Sequence, residues 1–282
     1  MINALKKINS NIKKRGLSNT LNAIFNTISF ESKCFFTGIK LELKKGIGNE
    51  SITINHGNYY FNFYNRRDRG EILYHACWDR MFNEERDKIE KYIKKGDTVI
   101  DVGGNMGFFV LILNNLMNDS GKIYSFEPSG RLSKKLSSTV KINNLKNVEI
   151  INLALGEQEG ATSLYFNPKQ SGLSSIVTQD KNDFIVEEIK ITTLDKFSNN
   201  ISERISFIKI DTEGYEPQVL RGAKETIKKH KPTIYLELGG DHFESSIESL
   251  KILKEFGYQC EAENIDLKTI PAGVNFIATP KL

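Results

Sequence analysis

The sequence predicts an α/β protein in which a mostly parallel β-sheet carries helices on both faces. From Asp97 onward, short apolar segments alternate with amphipathic segments of helical period, which is typical of parallel strands joined by right-handed crossovers. Acidic residues and glycines follow several of the apolar segments, at the edge where such sheets bind their ligands. The chain has 282 residues, 39% hydrophobic and 26% charged, which suits one globular domain with a smaller appendage.

The alternating part of the chain, from Asp97 onward, contains six predicted strands and four predicted helices. The strands are expected at 97–102, 122–126, 148–152, 205–210, 232–237 and 273–278. The helices are expected at 105–117, 130–143, 216–229 and 244–255. The segment GYQCEAEN, residues 257–264, predicts a further strand near the C-terminal edge. Residues 157–196 interrupt the alternation with two extended segments around a polar linker, and we expect an inserted hairpin or flap there.

The N-terminal part predicts elements of a different kind. Residues 1–30 have apolar residues at helical spacing, which are Leu17, Leu21, Ile24, Phe25 and Ile28. This helix either packs on its own domain or lies on an acidic membrane surface, and both interpretations stay open. SITINHGNYYFNFYN, residues 51–65, predicts a β-hairpin with a His-Gly turn, and residues 77–97 predict a helix that Gly96 ends. We expect an extension at 1–75 and the main domain at 76–282.

The charge distribution argues against a nucleic-acid partner. The net charge of +4 is too small to indicate one, and residues 1–50 carry nine Lys and Arg against three Asp and Glu. The basic character therefore belongs to the N-terminal segment.

The cysteines and the apolar runs indicate a cytoplasmic protein. Cys34, Cys77 and Cys260 are far apart and odd in number, which fits neither a disulfide framework nor a zinc site. The longest aliphatic and aromatic run, FFVLIL at residues 108–113, is too short to span a bilayer, and the start of the chain does not read as a secretory signal. Peripheral contact with the inner membrane face through residues 1–30 stays open.

The segment DVGGNMG, residues 101–107, combines an acid with a glycine-rich turn at the end of the first strand. Gly103, Gly104 and Gly107 let the backbone turn sharply and approach a ligand, and Asn105 is expected to cap the following helix. A carboxylate at Asp101 would repel a pyrophosphate, so a nicotinamide or flavin nucleotide is disfavoured. An amino-acid tail with an ammonium group would be accepted there.

The second strand places Glu127 at its carboxyl end, within KIYSFEPSG. An acid at this point is well placed to accept hydrogen bonds from both hydroxyls of an adenosine ribose. A structural role at a helix N-terminus is the alternative. The third strand ends in NLALG, whose small and apolar groups could border an adenine ring.

Four segments in order resemble the FkbM-type methyltransferases of the class I S-adenosylmethionine-dependent superfamily. They are DTVIDVGGNMGFF, IYSFEPS, NLALGE and ISFIKIDTEGYEPQVLRGA, and the resemblance covers about residues 80–280. One departure is Gly104, where the family usually has alanine, which we expect to loosen the turn slightly. The resemblance implies a Rossmann-like sheet of seven strands with one antiparallel strand near its edge.

The resemblance also implies which residues bind the cofactor. The methionine part of S-adenosylmethionine would be surrounded by Asp101, Gly103, Asn105 and Gly107, the ribose bound by Glu127, and the adenine bordered by Ala154. Three residues adjacent to these in the motifs, Gly104, Phe108 and Pro128, and Asp211 at the end of the fourth strand, where it could shape the sulfonium pocket, complete the predicted cofactor site.

The candidate catalytic residues follow the fourth and fifth strands of the methyltransferase domain. Asp211 and Glu213 lie at the carboxyl edge beside the expected methyl group, whereas Glu216 is explained by the helix it begins. His242 is the first candidate base, because imidazole titrates near neutral pH, and a solvated loop histidine is the alternative. Asp211 and Glu237 have oxygen ligands that suit Mg²⁺, so a magnesium ion stays open as a second cofactor, although no adjacent acidic pair follows strand five and no metal ligand is assigned.

Aromatic residues are frequent before residue 80, and they either stack on a sugar or belong to the core. They are Tyr59, Tyr60, Phe61, Phe63, Tyr64, Tyr74 and Trp78.

The sequence thus predicts an O-methyltransferase acting on a hydroxyl of a glycan or related secondary metabolite. The alternatives are a lipid-head-group or nitrogen acceptor, and a non-catalytic S-adenosylmethionine-binding scaffold.

Overall fold

The computed structural model describes residues 17–64, 66–169, 174–176, 184–239, 242–262, 265–266 and 274–281, with side chains from residue 29 onward. Its helices are α1 (Leu17–Lys45), α2 (Arg69–Ile89), α3 (Phe108–Met117), α4 (Gly130–Ile142), α5 (Leu194–Ser198), α6 (Glu216–Arg221), α7 (Lys224–His230) and α8 (Phe243–Glu255). Its strands are β1 (Ile52–His56), β2 (Tyr59–Phe63), β3 (Thr98–Val102), β4 (Lys122–Phe126), β5 (Val148–Ile151), β6 (Ala154–Leu155), β7 (Gly160–Phe166), β8 (Ile185–Thr192), β9 (Ile205–Ile210), β10 (Thr233–Glu237), β11 (Tyr258–Cys260) and β12 (Asn275–Pro280).

The predicted α/β fold is confirmed by a seven-stranded sheet in the order β11-β12-β10-β9-β3-β4-β5. Among these described strands, β12 alone runs antiparallel to the rest, and it pairs with both β10 and β11. The strands β3, β4, β5, β9 and β10 pair in parallel, so their carboxyl ends meet at one edge. Strand β3 lies inside the sheet between β9 and β4 with all five residues buried, which explains its largely apolar character.

Within the main domain, two of the expected helices have different bounds in the structure. The helix expected from residue 105 begins at Phe108, because the glycine turn continues through Gly107, whose φ is 91°. The helix expected over 216–229 is divided into α6 and α7 at Gly222. A Cβ on Gly222 would lie 1.8 Å from the Gly156 carbonyl oxygen, so the chain here is fitted against the loop after β6.

The segment before the sheet consists of α1, the β1–β2 hairpin and α2. The hairpin is confirmed, with the turn at Gly57. Helix α2 begins earlier than expected, because Asp68 accepts a hydrogen bond from the Gly70 N–H and caps it. It ends at Ile89 in a single 3₁₀ turn, and the expectation that it continues to Gly96 is wrong. The proposed domain boundary at residues 75 and 76 falls within α2, and the division stays a prediction.

The expected inserted hairpin is also present. Strands β7 and β8 pair antiparallel, and β8 adds β6 on its other side to make a three-stranded sheet. Most of the polar linker lies outside the described residues. None of the helices in the described part of the chain combines the length and the apolar character that crossing a membrane would require.

Candidate active site

A cavity of about 440 Å³ opens at the carboxyl ends of the central strands. Most of the predicted site residues line it, and these are Gly103, Gly104, Asn105, Phe108, Glu127, Pro128, Ala154, Asp211 and Glu213. Its volume is within the range of small-molecule sites. Asp101, Gly107 and His242 are not among the lining residues that the structure describes.

The glycine turn brings the ends of two neighbouring strands into direct contact. Gly103 has a φ of 83°, and a Cβ there would lie 2.0 Å from the Asp211 carbonyl oxygen. Gly104 has a different reason to lack a side chain, because a Cβ would lie 2.3 Å from the Ser125 hydroxyl oxygen. That hydroxyl donates a hydrogen bond to Asp101 at 2.7 Å. Gly104 therefore makes room for a buried hydrogen bond.

Asn105 contacts the cavity and does not cap α3. Its φ is 48°, and its N–H donates to Glu127 Oε2 at 2.8 Å. The residue preceding α3 is Gly107, which forms no side-chain cap, so the predicted capping role is wrong. The buried Asn105 Oδ1 has no hydrogen-bond partner among the described residues, and the same holds for Oδ1 of Asn275, which lines the cavity at the end of β12. Two residues of the cavity wall thus each carry a buried carbonyl oxygen without a hydrogen-bond partner among the described residues.

Glu127 is fixed by the backbone at the end of β4. Its two carboxyl oxygens accept hydrogen bonds from the Asn105 N–H and from the Ser129 N–H, each at 2.8 Å. The side chain is buried, and burial raises the pKa of Glu127 to about 7 against the effect of these two hydrogen bonds. Because a carboxylate has about four lone-pair sites, each oxygen can accept one more hydrogen bond from the cavity.

Beneath the glycine turn, Lys209 holds together two acids and a backbone carbonyl. Its ammonium lies 3.5 Å from Asp101 Oδ1 and 3.2 Å from Asp211 Oδ2, and it donates to the Gly103 carbonyl oxygen at 2.9 Å. Burial opposes the charge, but Asp211 and Asp101 raise the pKa of Lys209 above its usual range. Asp101 is fully buried and paired within the protein. Its predicted direct contact with a cofactor stays a prediction, and the structure places it as a support for the turn.

Glu213, which lines the cavity, forms a pair with His242. His242 Nε2 lies 3.4 Å from Glu213 Oε2. Burial raises the pKa of Glu213 to about 6, while the hydrogen bond with His242 acts in the opposite direction. Gly214, with a φ of 97°, permits this approach, because a Cβ there would lie 2.6 Å from His242 Nδ1. The carboxylate faces the cavity and the imidazole lies behind it.

The carboxyl groups of Asp211, Glu213 and Glu237 have oxygens within 4.8 Å of one another. Burial, together with the charges of Asp211 and Glu213, raises the pKa of Glu237 far above its usual range, and this protonated carboxyl is hydrogen-bonded to Asp211. Burial alone would raise the pKa of Asp211, but Lys209 and this hydrogen bond hold it below its usual range. Lys209 already places a positive charge 3.2 Å from Asp211 Oδ2, so the cluster offers a magnesium ion less net negative charge than three carboxylates alone would.

Lys209 is the main feature of the site that the sequence did not reveal, whereas Tyr74 is one of the aromatic residues for which sugar stacking and the core both stayed open. A lysine in the otherwise apolar strand ISFIKI was the available signal for Lys209. Tyr74 projects from α2 onto the cavity wall and stacks on Phe108, with ring centroids 4.7 Å apart. The neighbouring aromatics Phe61, Phe63 and Trp78 are buried core residues.

The sheet order, with β12 as its antiparallel member, and the cavity at the strand ends define a class I methyltransferase fold. The chain belongs to the FkbM methyltransferase family, because the Methyltransferase FkbM domain matches residues 101–260, more than half of the chain. The resemblance stated from the sequence motifs is thereby confirmed.

Individual relatives are more distant. Methyltransferase 1 of Beauveria bassiana is 24% identical over 143 residues, which are 44% of this chain and 57% of that protein. Methyltransferase sdnD of Sordaria araneosa is 26% identical over 157 residues, which are 45% of this chain and 60% of that protein. The chain thus spans less than two thirds of these curated relatives. A solved structure of methyltransferase FkbM from Methylobacillus flagellatus is similar at 15% identity and a TM-score of 0.46, covering 75% of this chain and 53% of that one.

Proposed function

We propose that the protein transfers a methyl group from S-adenosylmethionine to a hydroxyl oxygen of a glycan or related secondary metabolite. The observation that carries this proposal is Glu127, whose carboxyl group is fixed by two backbone N–H groups and has unused lone pairs on a cavity beside a glycine turn. This arrangement suits the two hydroxyls of a nucleoside ribose.

The residues around Glu127 fit the rest of the cofactor. Pro128, Leu153 and Ala154 supply apolar surface for an adenine ring. Asn105 lines the cavity, and its Oδ1, which has no partner among the described residues, would accept a hydrogen bond from the ammonium group of the methionine part after its side chain turns toward the cavity. When bound, S-adenosylmethionine supplies a methyl group already activated by its sulfonium.

Glu213 is the best-placed base for a hydroxyl acceptor. Glu213 would accept the proton that the acceptor hydroxyl releases when its oxygen takes up the methyl group. A pKa of about 6 keeps this group ionised at neutral pH and basic enough to accept the proton. His242 orients the carboxylate by its hydrogen bond, and Asp211, held charged by Lys209, is the weaker base.

The acceptor side of the cavity has an apolar wall from α2 and α3, formed by Leu73, Tyr74, Met81 and Phe109. An acceptor with an apolar portion beside its hydroxyl fits this wall, which favours a secondary metabolite or a glycolipid over a bare sugar. Asn275 Oδ1 and Glu237 provide polar contacts at the far end. We further propose a cytoplasmic location, because Cys34, Cys77 and Cys260 are free thiols.

The experiment measures binding of S-adenosylmethionine and S-adenosylhomocysteine by calorimetry, followed by methyl transfer to a panel of glycans, glycolipids and phenolic or aliphatic alcohols. We expect Glu127→Gln to weaken cofactor binding at least about tenfold, because a neutral amide replaces a carboxylate that accepts two ribose hydrogen bonds. The matched control is Glu84→Gln on the exposed surface of α2, which should leave binding unchanged. Absence of binding heat with both nucleosides would refute the proposal, and binding without turnover on any acceptor would support the scaffold alternative instead.

A further inference from the structure

The C-terminal half of α1 has one side buried and one side exposed. Cys34, Gly38 and Leu41 are buried, and they face α2, where Cys34 packs with Ala76 and Cys77. The opposite surface, which we term the outer face of α1, is formed by exposed residues at helical spacing, namely Lys33, Phe36, Lys40, Leu43 and Lys44.

The apolar side chains of the outer face are unusually exposed. Phe36 is 67% exposed and Leu43 is 78% exposed, and Ile47, just beyond the helix, is fully exposed. Phe35 lies beside Phe36 with their ring centroids 5.6 Å apart and is also exposed. Soluble proteins rarely place several large apolar side chains together in water without a binding role.

The charges on this helix identify the kind of partner. Glu31 forms an ion pair with Arg69, and Glu42 forms one with Lys45 at 3.0 Å and accepts the Arg66 N–H. Both acids of the segment are therefore engaged on the side toward α2. The three lysines of the outer face make no ion pair with any described residue, so their positive charge is available to an anionic surface.

We propose that the outer face of α1 docks on the surface of an anionic lipid bilayer. Phe36, Leu43 and Ile47 would enter the boundary between headgroups and acyl chains, while the lysines contact lipid phosphates. The helix lies along the bilayer, because it carries too many charges to cross one. This places the contact at residues 33–47, beyond the range of residues 1–30 that the sequence suggested, and it does not depend on the proposed methyl transfer.

Helix α1 is attached to the rest of the domain by several contacts, so a helix docked on a bilayer would hold the domain at its surface. A Cβ on Gly38 would lie 3.0 Å from Ile72 Cδ1, so the two helices are in close contact. Lys45 Nζ donates to the Tyr64 carbonyl oxygen at 2.8 Å, and Arg80 lies over the Phe30 ring. Since α2 also forms a wall of the cavity, docking brings the cavity to the membrane surface.

The test uses the full chain and sedimentation with vesicles of phosphatidylcholine alone or mixed with phosphatidylglycerol. We expect binding to the mixed vesicles and at least about tenfold weaker binding to phosphatidylcholine alone. Raising the salt to about 1 M, where the Debye length is about 3 Å, should weaken binding strongly.

Two pairs of variants separate the contribution of the apolar side chains to vesicle binding from that of the lysines. Phe36→Ser with Leu43→Ser removes the apolar contact, and Lys33→Glu with Lys40→Glu reverses the charge; each pair should weaken vesicle binding about tenfold or more. The control is Lys224→Glu with Lys228→Glu, which makes the same charge change at exposed positions of α7. It should weaken vesicle binding less than Lys33→Glu with Lys40→Glu does. Circular dichroism verifies that each variant is folded.

The outcomes distinguish the bilayer from other partners. No binding to anionic vesicles, or binding that the α1 pairs leave unchanged, would overturn the proposal. If light scattering shows a dimer in the absence of lipid that Phe36→Ser with Leu43→Ser converts to a monomer, the face is an interface between two copies and the proposal is also overturned. Neither result affects cofactor binding, which is measured separately.

Discussion

Replacing Lys209 with methionine should strongly destabilise the protein. The side chain is 4% exposed, and its ammonium is shared by Asp101, Asp211 and the Gly103 carbonyl oxygen. Lys209→Met leaves Asp101, which is fully buried, as a charge stabilised only by the Ser125 hydroxyl. Removing one partner of a buried ion pair costs about 3–5 kcal/mol, a large fraction of a typical unfolding free energy of about 5–15 kcal/mol.

The measurement is urea-induced unfolding at neutral pH, followed by circular dichroism and by fluorescence of Trp78. The unfolding midpoint should fall while the denaturant slope stays constant. The matched control is Lys122→Met on β4, where the ion pair with Glu149 is exposed and has a length of 3.0 Å, so the expected loss is under about 1 kcal/mol.

A double variant separates the loss of charge pairing from the loss of packing. Lys209→Met combined with Asp101→Asn removes the unpaired charge, and it should recover about half of the lost stability or more. The reasoning is refuted if Lys209→Met costs no more than Lys122→Met, or if Asp101→Asn recovers nothing in the Lys209→Met background.

Four further predictions concern the site. Because the pKa of Glu127 is raised to about 7, the folded state holds the Glu127 proton more tightly than the unfolded state. The unfolding free energy should therefore fall as pH rises from about 4.5 through 7. In unfolding experiments between pH 4 and pH 8, the wild type should lose about 3 kcal/mol more of its unfolding free energy than Glu127→Gln. Glu213→Gln should lower kcat about 10²–10⁴-fold. His242→Gln should cost less and move the acidic limb of the pH–rate profile upward, because the His242 hydrogen bond lowers the pKa of Glu213; an unmoved limb would contradict this role. Gly104→Ala should lower the unfolding free energy by about 1–3 kcal/mol, and adding Ser125→Ala should relieve part of that loss if the 2.3 Å contact is the cause.

The sheet could be predicted from the sequence because its strands are short apolar runs with clear limits. The predicted segments 122–126 and 205–210 agree with β4 and β9 residue for residue. Helix boundaries were less accurate, since they depend on contacts between distant segments. The break at Gly222 results from the approach of Gly156, which no local pattern reveals.

The candidate site was predictable for residues that directly follow a strand. Gly103, Glu127 and Asp211 all line the cavity, because the carboxyl ends of parallel strands share one edge. The internal pairing of charges was not predictable. That Asp101 faces Lys209 beneath the turn depends on the register between β3 and β9, in which these two residues are direct neighbours.

The contact between Gly103 and the Asp211 carbonyl has a consequence for how substrate preference can evolve. The two strand tips are in direct backbone contact, so any side chain at Gly103 would collide with the Asp211 carbonyl, and this position tolerates no replacement that could adjust the site. Related enzymes would then differ mainly in the residues of α2 that line the cavity, such as Leu73, Tyr74 and Met81. A lineage could exchange one acceptor for another there while its nucleoside-binding half stays unaltered.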